Sequence, residues 1–295
     1  MPLQHTELKP FLKWAGGKRQ LLPQIRSVLA TCPALNSTQL NSTQLNSTQL
    51  NYIEPFVGAG AVFFDLRPVR AILCDTNALL IEAYTCIRDD IDALISALRV
   101  HEAQHAQAYY YQIRAQDRHH DYAQFSAVAR TARLIYLNKS CYNGLYRVNR
   151  QGFFNVPIGR NHKPLICDEA GLRSIHAYLT QNPAIDIRHG DYTQAIADAQ
   201  AGDIVYFDPP YHSEQKSSFT SYQADRFGAP EQIALADAFT ALSRRGVYCM
   251  LSNADTTLIR SLYAGYAQQT IAANRFINSK SDARGAVNEV LVWNW

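Results

Sequence analysis

Charged side chains are scarce in this chain: Asp, Glu, Lys and Arg make up 18% of its 295 residues, against roughly 25% in an average soluble protein. The two signs nearly cancel, with 28 Lys+Arg against 25 Asp+Glu and a formal net charge of +3. With apolar residues at 47%, that balance excludes disorder over most of the length. Also missing is any run approaching the roughly 18 uncharged apolar residues that a membrane span needs. The opening Met1-Pro-Leu-Gln-His-Thr-Glu7 lacks the basic-then-apolar order of a secretory signal, so a cytoplasmic location is expected. No two of the six cysteines (Cys32, Cys74, Cys86, Cys141, Cys167 and Cys249) are spaced Cys-x-x-Cys. Scattered thiols, some in apolar stretches such as Ile72-Leu-Cys74, point to reduced, buried side chains rather than a disulfide or zinc framework. No metal site is expected.

What is present begins with a repeat. Residues 36–50 read Asn-Ser-Thr-Gln-Leu three times. A five-residue period matches neither helix nor strand and falls well below the roughly 20-residue period of solenoids, so an expanded surface loop is expected there. Past it the pattern alternates. Short strands are expected at Asn51–Phe56, Ala71–Cys74, Ile185–Gly190, Asp203–Phe207, Gly246–Ser252 and Glu289–Trp293. Helices are expected over about 61–67, 78–99 and 230–245. That alternation predicts an α/β fold with a doubly wound, mostly parallel sheet. The stretch 84–180 differs, being mainly helical with a glycine-punctuated, aromatic-rich β-hairpin or long loop at Tyr142–Pro157. The expected domains are therefore 1–83 with 181–295, and an inserted subdomain over 84–180.

Three motifs carry chemistry. Asp208-Pro-Pro-Tyr211 follows a buried strand, and the carboxyl ends of strands are where open α/β sheets bind ligands. An acid, two donor-free prolines and a flat ring suit an amino group on a planar heterocycle, although a rigid turn is the plainer reading. Glu54-Pro-Phe56-Val-Gly58-Ala-Gly60 follows an earlier strand, and its glycines permit close backbone approach to a nucleotide-like ligand. Taken alone it equally suits a tight turn, but Asp75, at the end of the next strand, is placed for ribose hydroxyls. A dinucleotide dehydrogenase would want a third glycine where Phe63 stands. Lys13-Trp14-Ala-Gly16-Gly17-Lys18 reads as an anion- and ring-binding loop, with Trp14 as a core residue the alternative.

Together these segments resemble the Dam family of DNA adenine-N6 methyltransferases. The matching stretches are Phe11–Lys18, Tyr52–Gly60, Leu73–Asn77, Tyr136–Asn138, Tyr142–Leu145, Phe154–Pro157, Asp208–Tyr211 and Ser252-Asn253, in the family's order. The repeat is the clearest departure. The resemblance implies the S-adenosylmethionine-dependent methyltransferase fold with a target-recognition subdomain. It also implies S-adenosylmethionine as methyl donor, with Trp14, Lys18, Glu54, Phe56, Gly58, Gly60, Asp75, Asp191 and Asp208 around it. Catalysis falls to Asp208, Pro209, Pro210 and Tyr211, acting on a flipped-out adenine of double-stranded DNA. Contacts to DNA fall to Lys13, Tyr142, Asn143, Leu145, Arg147, Asn149 and Pro157. Six of these, all but Asn149, match GATC-specific members, which implies GATC as target; Lys139-Ser-Cys141, Tyr146 and Val148 depart from the pattern. A monomer with no obligate protein partner is implied.

Two other readings stand beside this one. One is an amino-methyltransferase acting on RNA, protein glutamine or cytosine-N4; the other is a non-catalytic DNA-binding homologue. The distribution of charge favours a nucleic-acid partner: Tyr122–Lys163 holds seven Lys/Arg and residues 9–26 hold five, with no Asp or Glu in either. Phosphate contacts from these segments would make affinity fall steeply with salt.

Overall fold

Ile204-Val-Tyr-Phe207 is buried at every position, as a strand must be when both faces of its sheet are covered. A computed structural model of the chain describes residues 8–14, 16–35, 40–41, 44–45, 50–213, 227–274 and 286–295. It builds a sheet from β1 (Tyr52–Glu54), β2 (Ala71–Asp75), β3 (Ile185–His189), β4 (Ile204–Phe207), β5 (Tyr248–Ala254), β6 (Ala267–Asn274) and β7 (Ala286–Trp293). The spatial order is β3-β2-β1-β4-β5-β7-β6. The first five strands are parallel, and β7 runs antiparallel between β5 and β6. The expected α/β, mostly parallel architecture is therefore present. Strand β6 was not anticipated: Ala-Gln-Gln-Thr-Ile-Ala-Ala-Asn has little β-propensity, and pairing with β7 at the sheet edge holds it.

Contacts divide the chain into two compact units. A sheet unit comprises Lys18–Val57, Asp65–Thr76 and Ala184–Trp295. Its core joins Ile53, Val205, Phe207 and Leu251 of the strands to Leu235, Phe239 and Leu242 of the helix Ala229–Arg244. A helical unit comprises Met1–Gly17, Gly58–Phe64 and Asn77–Pro183. Its helices include Ala78–Asp89, Ile91–Ala103, Gln107–Ala115, Ala127–Ser140 and Glu169–Gln181. Leu80, Tyr84, Leu94, Leu98, Tyr136 and Leu172 are all buried within this unit. The single helix expected over 78–99 is in fact two. Asp90 leaves helical geometry at φ −127°, ψ 35°, and caps the first helix through its N–H to the Cys86 carbonyl.

All six cysteines are unbridged, five of them buried and Cys167 half-buried, as expected of reduced thiols. Most of the repeat lies outside the described residues; within it Leu40–Asn41 pairs antiparallel with Gln44–Leu45. Among the described residues no helix is long and apolar enough to cross a membrane.

Candidate functional site

Strand register sets the geometry at the carboxyl end of β4. Phe207 pairs with Leu251 of β5, so the next residues, Asp208 and Ser252, come side by side. Ser252 donates to Asp208 Oδ1 at 3.0 Å, and Lys18 Nζ lies 2.8 Å from the same oxygen. Lys18 is almost wholly buried at 4% exposure. Sequence reasoning gave this lysine to the methyl donor; the structure pairs it with the catalytic candidate 190 positions away, which no local pattern reveals. Burial is the main influence on the Asp208 carboxyl and raises its pKa above the ordinary 3.8, with Lys18 and Ser252 pulling the other way.

Tyr211 is fixed from two sides. Its hydroxyl donates to Glu289 of β7 at 2.6 Å, and Lys18 Nζ sits 4.7 Å from its ring centroid. Burial, with Asp208 and Glu289 nearby, pushes its hydroxyl pKa well up, so it stays neutral. Pro209 is buried and Pro210 exposed. The Pro210 carbonyl accepts a hydrogen bond from Gln232 Nε2 at 2.9 Å, and Gln232 Oε1 accepts one from Asn253 Nδ2 at 3.0 Å. Asn253 Oδ1 also accepts from the His212 N–H at 3.1 Å. Of these supports, Ser252 and Asn253 carried a sequence signal; Gln232 and Glu289 carried none.

The remaining sheet-unit candidates surround other strand ends. Glu54 is buried and accepts a hydrogen bond from the Tyr52 hydroxyl at 2.9 Å. Phe56 stacks on Tyr192 with centroids 5.5 Å apart. Asp75 ends β2 half-exposed, with its carbonyl accepting from the Gly190 N–H at 3.1 Å. Asp191 caps the short helix Tyr192–Ile196, accepting from the Thr193 N–H at 3.0 Å.

The helical unit holds the other candidates. Gly58 and Gly60 both adopt positive φ, +50° and +70°. A Cβ on Gly58 would stand 3.2 Å from the Trp14 ring, and one on Gly60 2.5 Å from the Tyr84 hydroxyl, which itself donates to the Gly58 carbonyl at 3.1 Å. The space a Cβ would take at these two positions is filled by Trp14, Tyr84 and Phe64. Gly60→Ala is expected to cost about 2–3 kcal/mol, from the left-handed backbone and displacement of Tyr84. Gly152→Ala, at φ +84° with nothing within 4 Å, should cost only about 1 kcal/mol. Chemical denaturation of the two variants checks this, and equal losses would refute the steric part.

Trp14 is half-buried and stacks on Tyr146, centroids 5.0 Å apart at 25°. The Asn77 side chain lies near the Tyr146 hydroxyl and opposes the rise that burial gives its pKa. Buried Asn138 joins the N-terminal segment to the loop that follows its own helix. It accepts from the Lys13 N–H at 2.9 Å and donates to the carbonyls of Lys13, at 2.8 Å, and Gly144, at 3.0 Å. Lys13, Tyr142, Asn143, Arg147 and Pro157 are exposed, and Leu145 is half-buried. The expected hairpin is irregular, with only the isolated bridges Cys141–Ile158 and Val148–Phe154 rather than a ladder. Asn149 is committed to its turn, its side-chain oxygen accepting the N–H groups of Gln151 and Phe153 at 3.0 and 2.9 Å. Arg147 Nε donates to Asn155 Oδ1 at 2.7 Å.

Charge placement needs correcting. Not all the basic residues of the two acid-free segments face outward. Arg133 is buried and paired with Asp117 at 2.9 Å, and Arg130 pairs with Glu82. Lys18 and Arg26 are likewise paired, with Asp208 and Asp65. Lys9, Lys13, Arg19, Arg26, Arg147, Arg150, Arg160 and Lys163 are the exposed ones, Arg26 among them despite its ion pair.

The Asp208 carboxylate, held by Lys18 and Ser252 beside Pro209 and Tyr211, is an acceptor at a strand end, where open α/β sheets bind ligands. Comparison with known proteins identifies the family. Residues 14–277 match the family model for D12 class N6 adenine-specific DNA methyltransferases. The chain is 39% identical to the type II methyltransferase M1.LlaDCHI of Lactococcus lactis subsp. cremoris, covering 98% of this chain and 96% of that protein. It is 39% identical to the type II methyltransferase M.MjaIII of Methanocaldococcus jannaschii, covering 98% and 100%. It is 34% identical to the DNA adenine methylase of Escherichia coli (strain K12), covering 96% and 94%.

Proposed function

Because the chain belongs to the D12 class of N6 adenine-specific DNA methyltransferases, we propose that it methylates the adenine of double-stranded GATC, using S-adenosylmethionine and acting as a cytoplasmic monomer. The observation that carries the reading is the largely buried Asp208 carboxylate at the end of β4, flanked by Pro209 and Tyr211. An adenine amino nitrogen is a poor nucleophile, since its lone pair is delocalised into the ring. Accepting its hydrogens at Asp208 and at a proline carbonyl concentrates electron density on N6. When bound, S-adenosylmethionine supplies an electrophilic methyl group on a sulfonium sulfur. On transfer of that methyl group, with the sulfur leaving as the neutral thioether, positive charge would grow on N6, and the Asp208 carboxylate would stabilise it until one amino proton is lost to solvent. Tyr211 stacks on the extruded base, offsetting an unstacking cost of a few kcal/mol.

Trp14, Gly58, Gly60, Asp75 and Asp191 are assigned to the methyl donor. Lys13, Tyr142, Asn143, Leu145, Arg147 and Pro157 are assigned to DNA. The type II names of two relatives support a partnership with a restriction enzyme. Expressing the chain in a methylation-free host and mapping N6-methyladenine is expected to show methyl groups at GATC adenines. A different consensus would overturn the GATC assignment. No transfer to any duplex by purified protein supplied with S-adenosylmethionine would overturn the whole reading.

A further inference from the structure

An exocyclic amino group has two hydrogens, so holding it for attack takes two acceptors. The Asp208-Pro-Pro segment offers five oxygens: two on the carboxylate and the backbone carbonyls of Asp208, Pro209 and Pro210. Two of these are already taken. Asp208 Oδ1 accepts from Lys18 at 2.8 Å and from Ser252 at 3.0 Å. The Pro210 carbonyl accepts from Gln232 at 2.9 Å. Among the described residues nothing donates a hydrogen bond to Asp208 Oδ2 or to the Pro209 carbonyl.

We infer that Ser252 and Gln232 are positioning residues that reserve two acceptors, Asp208 Oδ2 and the Pro209 carbonyl, for the amino group of the target adenine. The inference rests on the adenine-N6 reading above and deepens it.

Both residues are built for a fixed role. Ser252, Gln232 and Asn253 are each 0% exposed. Since Ser252 donates to Asp208, the Tyr206 hydroxyl, 2.8 Å away, must be the donor to Ser252 Oγ. That fixes the direction of the chain: Tyr206 to Ser252 to Asp208. Tyr206 is itself fully buried, and burial pushes its hydroxyl pKa far above neutrality, so it keeps its proton. The second chain runs from Asn253 through Gln232 to Pro210. The two chains pass through adjacent residues of β5, Ser252 and Asn253, whose side chains leave opposite faces of the strand. One chain therefore sets the carboxylate and the other the proline backbone.

The two chains differ in what they stabilise, which makes them separable. Ser252 donates to a carboxylate, so it favours the ionised form; Gln232 donates to a neutral carbonyl and does not. The other groups facing Asp208 are Lys18, Tyr206, Tyr211 and Glu289, with Tyr52 and Glu54 beyond them. None of these is altered by either substitution.

The test is the pH dependence of the single-turnover methylation rate on a GATC duplex. Ser252→Ala is expected to slow the reaction roughly tenfold or more and to move its acid limb to higher pH, because a donor to the charged form is lost. Gln232→Leu is expected to slow it about fivefold with the acid limb unmoved. Tyr206→Phe should act in the direction of Ser252→Ala but more weakly, and it stands in should that variant fail to fold. A Ser252→Ala acid limb superimposable on wild type, or a Gln232→Leu limb displaced equally, overturns the inference while leaving the enzyme's activity on adenine intact. Wild-type protein inactive on every duplex would instead overturn the reading beneath it.

Discussion

Replacing Asp208 by alanine is expected to lower the single-turnover methylation rate by roughly a thousandfold, with affinity for the methyl donor changed no more than a few-fold. The carboxylate is the one group at the end of β4 able to neutralise charge growing on the amino nitrogen, and Tyr211 cannot replace it because its hydroxyl stays protonated and is spent on Glu289. Asp208→Asn keeps an acceptor oxygen but not the charge, so it should fall between alanine and wild type. In the wild type the rate should rise with pH through an apparent pKa above the ordinary carboxylate value of 3.8, because burial raises that of Asp208 and only its ionised form serves. Stability runs the other way. An acid whose folded pKa is raised binds its proton more tightly in the native state, so its share of stability is present below the unfolded value and is lost as pH rises through the folded one. Quenched-flow methylation of a GATC duplex against pH measures the first effect. Turnover by Asp208→Ala at a tenth of the wild-type rate or better would remove this residue from the catalytic role.

The second large effect belongs to Arg147. Its fork is half-committed, with Nε on the Asn155 side chain at 2.7 Å, so the guanidinium is aimed before DNA arrives. A bidentate arginine–guanine contact discriminates by about 1–3 kcal/mol, roughly 10- to 100-fold. Arg147→Ala is therefore expected to shrink the kcat/KM ratio between GATC and a duplex altered at one guanine by that factor, leaving the ratio for the other guanine nearly unchanged. Three duplexes suffice: the intact site and one replacement at each G·C pair. A uniform loss on all three would make Arg147 a phosphate contact and remove it from sequence reading.

Much of this was legible from the amino-acid order because the signals were local. The glycines at 58 and 60 mark a turn, and both hold positive φ that L side chains resist. Asp208 was placed at the end of a buried strand by the apolar run before it. What stayed hidden was long-range. Nothing in Lys13-Trp-Ala-Gly-Gly-Lys18 says that Lys18 is nearly buried against a carboxylate 190 residues on. Gln232 sits on an amphipathic helix like any other polar residue, and only the tertiary fold turns it toward Pro210. Counting charge along the chain misassigned Arg130 and Arg133, since partners such as Glu82 and Asp117 lie outside the acid-free segment they neutralise. Strand β6 was missed because its stability comes from pairing with β7 rather than from its own residues.

The strand order also governs how the chain emerges and folds. β1 lies at the centre of the five parallel strands, yet β4, on one side of it, is separated from it by a long stretch of sequence; the Asn51 N–H bonds to Asp203, 152 residues later. During synthesis at about 5–20 residues per second, the early strands wait roughly 8–30 seconds for that neighbour. In the interval β1 and β2 present an apolar, unpaired edge, the kind of template that recruits foreign strands. The helices between Asn77 and Pro183 depend on contacts nearer in sequence and can pack during the same interval. The helical unit would thus be folded first, and the Asp208 carboxylate would reach its place only when the last parallel strands close the sheet around it.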